Sequence, residues 1–193
     1  MQRRSRMITA SLLTASLTAL SALGCSSTND GGGGDPKCKA LTSYTASSGN
    51  LVNYMTDIYP ILASTDVTTG GCAQVTICHG VNPSGLDSLT NPTKFLQFLY
   101  EPANPGMART NLLTASVNAP GMQRVAPGSV GQSFLAYKIS DRTTLACVNA
   151  MCVEGASIGN NKPCGDVMPS VGAALTDAQR TKILDWIAQG AGS

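Results

Sequence analysis

Histidine is all but missing from this chain: His79 is the only one in 193 residues. A serine or cysteine hydrolase needs an imidazole base beside its nucleophile, and His79 belongs to the cysteine motif described below, so no such set can be assembled. Charge is sparse as well, at 12% Asp, Glu, Lys and Arg, and aromatics make up 5%. With no Lys/Arg cluster and few rings for stacking, nothing points to nucleic acid as a partner. The longest apolar stretch, Met7 to Leu23, is diluted by Ser and Thr and too short for a comfortable bilayer span. No Cys-x-x-Cys occurs, which argues against a structural zinc site. Gly31 to Gly34 is followed by neither a helix nor Lys-Ser/Thr, so a phosphate loop is excluded. Nor is there an alternating run long enough to build a sheet, and the expected fold class is therefore all-α with long loops.

What is present begins with a targeting signal. Arg3, Arg4 and Arg6 precede the Met7–Leu23 stretch, which ends in Ala22-Leu23-Gly24-Cys25. This reads as a lipoprotein signal peptide over residues 1–24, with Cys25 the acylated N-terminus of the mature protein; an ordinary small-x-small cleavage site is the alternative. Residues 25–48 read as a flexible Gly/Ser-rich tether, and 49–193 as one domain. The chain has 13 Lys and Arg against 11 Asp and Glu, but the three arginines leave with the signal, giving 10 against 11 and a net charge of −1. Its basicity belongs to targeting, not to a partner. The expected location is the cell envelope, with the lipid anchor on the periplasmic side or the outer-membrane surface.

The lone histidine follows a cysteine, in Cys72-Ala-Gln-Val-Thr-Ile-Cys78-His79-Gly80. With 7 cysteines in 193 residues, a single histidine would do so by chance about once in 28 times. Two thiols followed at once by an imidazole can attach haem c, the thiols bonding the vinyl groups and the imidazole ligating iron. Five residues separate the cysteines where two are usual, so the segment between them has to bulge outward. The competing reading of the same residues is a Cys72–Cys78 disulfide with His79 a bystander, since export brings an oxidising compartment. Four further cysteines, Cys38, Cys147, Cys152 and Cys164, read as two structural disulfides whose pairing the sequence leaves open among three choices. They would staple the Gly- and Asn-rich loop from Val148 to Pro163. Met168, in Cys164-Gly165-Asp166-Val167-Met168-Pro169, could supply a second, thioether ligand from a loop held by Pro169. It could equally fill a gap in the core, as one of five methionines after the signal.

Four helical segments can be argued. Asn50 to Leu62 carries Leu51, Tyr54, Met55, Ile58, Ile61 and Leu62 at helical spacing, with Pro60 expected to break or kink it near its end. Thr93 to Tyr100 presents Phe95, Leu96, Phe98 and Leu99. Ser133 to Ile139 follows Pro127-Gly128. The clearest is the last, where Thr176 and Gln179 form a capping box, Ala178, Ile183, Trp186 and Ile187 form the apolar stripe, and Gly190 stops it.

The order of these pieces resembles the mono-haem cytochrome c domains of bacterial envelope lipoproteins. A helix ending Ile58-Tyr59-Pro60-Ile61-Leu62 precedes Cys72, Cys78, His79 and Gly80. There follow Gly85-Leu86-Asp87, the Pro127–Leu135 segment (Pro-Gly, four residues, Ser-Phe-Leu), Met168-Pro169, and a helix ending Trp186-Ile187-Ala188-Gln189-Gly190-Ala191. The ordered set carries the likeness, over about 58 to 191; no single piece does. It implies a cytochrome c-like helical domain in which Cys72 and Cys78 hold haem c, with His79 and Met168 the axial iron ligands. Such a protein would be a non-catalytic, monomeric carrier of single electrons, serving redox partner proteins of the envelope. The alternative from a different class is a haem-free, disulfide-stapled lipoprotein of the same fold, acting as a binding or surface-structural module.

Overall fold

The fold is taken from a computed structural model, which describes residues 35–47, 49–64, 66, 68–70, 105–116, 118–153, 164–170 and 172–193. The chain divides into two units, Met1–Gly32 and Gly33–Ser193, and every described residue belongs to the second. Its elements are α1 (Pro36–Thr42), a π-helical turn (Tyr54–Ile58) running into α2 (Tyr59–Leu62), α3 (Pro105–Leu112), a 3-10 turn (Val130–Gln132), α4 (Phe134–Lys138), α5 (Arg142–Ala146), a second 3-10 turn (Asn149–Met151) and α6 (Asp177–Ala188). Strands are absent among the described residues, which pair only through the isolated bridges Ala115–Gln123 and Gln123–Ser133. Helical turns of all kinds take 47% of those residues, so loops carry about as much of the fold as helices do.

The core is organised around α6. Its capping box forms as the sequence predicts: Gln179 N–H donates to the Thr176 hydroxyl at 3.2 Å, and Thr176 N–H donates to Gln179 Oε1 at 2.8 Å. Ile183, Trp186 and Ile187 are fully buried and Leu184 nearly so, each contributing about 1.5–3 kcal/mol of burial. Ala178, expected to begin the stripe, is exposed, because the first turn of α6 runs past the packed region. Gly190, at φ +99°, turns the chain where a side chain would be strained. The C-terminal residues then fold back: Trp186 Nε1–H donates to the Gly192 carbonyl at 2.8 Å, and the Arg109 guanidinium of α3 donates twice to the Ala191 carbonyl.

The segment expected as a helix from Asn50 begins later. The Asn53 side chain caps it by accepting from the N–H groups of Met55 and Thr56, and Leu51 before it is 88% exposed. Pro60 lacks an N–H and its ring crowds the carbonyl four residues back. The chain meets this with a π-helical turn just before it, in which Tyr59 N–H reaches the Tyr54 carbonyl. The disturbance expected from Pro60 is thus a change of winding. Tyr54, Ile58 and Leu62 all end fully buried, and Tyr54 stacks at a tilt on Trp186 with ring centroids 5.4 Å apart.

Residues 35–47 are folded, although they lie inside the stretch expected as tether. Asp35 caps α1 through its carboxylate and Pro36 occupies the first turn, the usual helix-start pair. Leu41 enters the core, and Cys38 is bonded to Cys147 beside α5. Farther along, the carboxylate of Asp185, buried on α6, accepts from the Tyr44 hydroxyl, the Ser47 N–H and the Ser47 hydroxyl, each at 2.8 Å. One glycine makes this docking possible: a Cβ on Gly131 would lie 2.8 Å from the Thr42 Cα.

Candidate functional site

Of the residues singled out by sequence, Cys72, Cys78 and His79 lie outside the described residues, as do Cys25 and the Thr93–Tyr100 segment. Met168 and the four remaining cysteines are described. The cysteines pair as Cys38–Cys147, with Cα atoms 5.9 Å apart, and Cys152–Cys164, at 5.3 Å. This selects one of the three possible pairings. Two such bonds belong to an oxidising, extracytoplasmic compartment. They also commit all four of these sulfurs to one another, so none is a partner for Cys72 or Cys78.

Met168 is partly buried against the edge of the core, and its peptide bond to Pro169 is cis. The loop that carries it, 164–168, has no helix or strand of its own and is fixed from outside. One end is tied covalently by Cys152–Cys164, with Cys164 buried. The rest is gripped by Lys138, the last residue of α4. The Lys138 ammonium donates to the Cys164 carbonyl at 2.9 Å and to the Asp166 carbonyl, while its own backbone carbonyl accepts from Met168 N–H at 2.6 Å. Arg142 of α5 forms an ion pair with the Asp166 carboxylate.

Lys138 is an unusual residue to find in this role, being only 8% exposed. Burial pushes its ammonium down to about 8, the Asp166 carboxylate pulling it back up and Arg142 adding to the fall. The Phe134 ring, 5.8 Å from Nζ, offers a π face to the cation. Sequence reading passed over Lys138, since a lysine at the end of a short helix ordinarily faces water. The only hint was its place at the end of Phe134-Leu135-Ala136-Tyr137-Lys138, an otherwise apolar run.

A second polar group stands out in the core. The Tyr54 hydroxyl is buried and, among the described residues, meets no hydrogen-bond partner; burial holds its phenol well above the ordinary tyrosine range. Among the described residues no three His, Cys, Asp or Glu side chains gather as a metal-binding group, and no helix is long and apolar enough to cross a membrane. Comparison with protein-family models, with curated proteins and with solved structures finds no match to this chain.

Proposed function

We propose that the protein is a lipid-anchored, c-type cytochrome-like electron carrier of the cell envelope. The observation that carries this reading is the sulfur accounting. Four cysteines are joined to one another, which leaves, besides Cys25, Cys72 and Cys78 just upstream of the sole histidine in sequence for other chemistry. In this reading Cys72 and Cys78 would hold haem c covalently, and His79 and Met168 would be its iron ligands. The group, when bound, supplies a one-electron iron couple whose potential a His/Met pair raises. What the chain itself contributes can be judged at Met168. A thioether ligand has to be held in place without being sealed inside the core, and Met168 is partly buried on a loop fixed by a disulfide, a buried lysine and an ion pair. That environment fits the role. With His79 and Met168 both given to iron, no ligand position would be left for substrate, and the reading is of an electron carrier rather than an enzyme. Cys25, following a signal peptide, would hold it to the membrane through lipid.

The second reading is a haem-free lipoprotein in which Cys72 and Cys78 form a third disulfide. It draws on the same compartment argument, since the other four sulfurs are all oxidised. A visible spectrum of protein made in a host that attaches haem c separates the two. A haem c spectrum that loses its His/Met character in His79→Ala supports the carrier; a colourless protein from that host refutes it.

A further inference from the structure

We infer that Lys138 is a positioning residue for the Met168 thioether, its buried ammonium holding the 164–168 loop against α4 so that the sulfur is presented in one place. The ammonium contacts the loop at residues 164 and 166, and the Lys138 carbonyl contacts it at 168, so one residue fixes alternate positions from the disulfide to the methionine. A buried cation is a poor way to stabilise a fold, because its desolvation offsets most of what its hydrogen bonds return. An apolar residue of similar length at the end of α4 would fill the same space at less cost. What the ammonium provides, and a hydrocarbon cannot, is direction: two charge-assisted donors aimed at two carbonyls of a segment with no secondary structure to order it. Arg142 on Asp166 and the Cys152–Cys164 bond hold the same loop at residues 166 and 164. The bond at 168 comes from the Lys138 backbone carbonyl and survives any substitution there; what the ammonium adds is the fixing of residues 164 and 166, which sets how the chain arrives at that carbonyl.

The iron-ligand meaning of this placement rests on the reading proposed above; the placement itself does not. The test compares the full-length protein with Lys138→Met, which keeps the apolar stem and removes the charge, and with Lys138→Gln, which keeps a donor. Dilute hydrogen peroxide oxidises methionine according to its exposure, and peptide mass spectrometry reads each site separately. Met55, Met107 and Met151, at 45%, 51% and 49% exposed, serve as internal references in the same sample. In Lys138→Met, Met168 should oxidise about tenfold faster relative to those references, with Lys138→Gln between it and wild type. In haem-loaded protein the same variant should lose the absorption of thioether-ligated iron while keeping its covalent haem. If Lys138→Met does not fold, the Lys138→Gln comparison decides alone. An unchanged Met168 oxidation rate in the folded variants overturns the inference. A wild-type protein without haem would instead overturn the functional reading, and the oxidation rates would still decide the role of Lys138.

Discussion

The packing of the π-helical turn on α6 and the Met168 loop lie in one folded unit and are held by different kinds of force. In that packing, Tyr54 and Ile58 of the turn join Ile183, Trp186 and Ile187 of α6 in one core cluster, all fully buried, and specificity comes from shape. In the loop no residue between 165 and 168 is fully buried, and position comes from a covalent bond, an ion pair and a lysine ammonium. Apolar burial is non-directional and suits a scaffold. Hydrogen bonds and disulfides fix geometry without demanding bulk, and they suit a segment that has to present a side chain instead of hiding it. A partly buried loop pinned by three such links is fixed in place without being sealed in the core, as the proposed ligand role of Met168 requires.

This contrast can be broken from either side. Trp186→Ala should have the largest effect, costing about 3–5 kcal/mol through lost burial and the cavity left behind, read as one cooperative shift in denaturant midpoint. Replacing Cys152 and Cys164 together by serine should cost less, about 3 kcal/mol for a loop closed over a separation of 12 residues. Its local signature matters more: hydrogen exchange and proteolysis should rise at 164–168 while the π-helical turn and α6 stay protected. A global loss of protection would remove the distinction between the two regions. Tyr54→Phe should move in the opposite direction, raising stability by up to about 1 kcal/mol, because it deletes a buried hydroxyl that lacks a partner among the described residues. The smallest effect is expected at Asp141, which caps α5 and pairs with Lys37 of α1 at 2.7 Å. The Lys37 hydrogen bond, helped by the Thr144 N–H, lowers its carboxyl from the ordinary 3.8 to about 2. A lowered carboxyl contributes stability that is complete above about pH 4 and is lost as pH falls through about 2. In Asp141→Asn the slope of stability against pH across that interval should flatten, and modestly, since both partners face solvent.

The same two regions explain what could be read from sequence. In α6, local chemistry agreed with the fold: the Thr176/Gln179 box and the Gly190 stop appear where the pattern put them, and of the expected stripe Ile183, Trp186 and Ile187 are buried while Ala178 is exposed. The helical reading of Ser133–Ile139 also corresponds to α4. Where Pro60 intervened, the residue types foretold a disturbance but not that a π-helical turn would absorb it. The ordered segment 35–47 was missed because its evidence is long-range. Leu41, Tyr44 and Ser47 look like ordinary tether residues until Asp185 and Cys147, more than a hundred positions away, are placed beside them. The Asp35-Pro36 pair was the one local signal that could have shown it. Short helices such as α3 and α5 lack a long enough stripe to register as periodic. At the candidate site the residue types were legible: four cysteines expected as two disulfides are two disulfides. Their pairing, and the grip of Lys138 on the Met168 loop, are products of packing that no spacing encodes.

The central claim turns on two sulfurs. Peptide mass spectrometry of the segment containing Cys72 and Cys78, from protein made without reductant in a host that attaches haem c, measures their state directly. A peptide heavier by one haem is expected. A peptide lighter by two hydrogens, with Cys72 and Cys78 joined to each other, would contradict it.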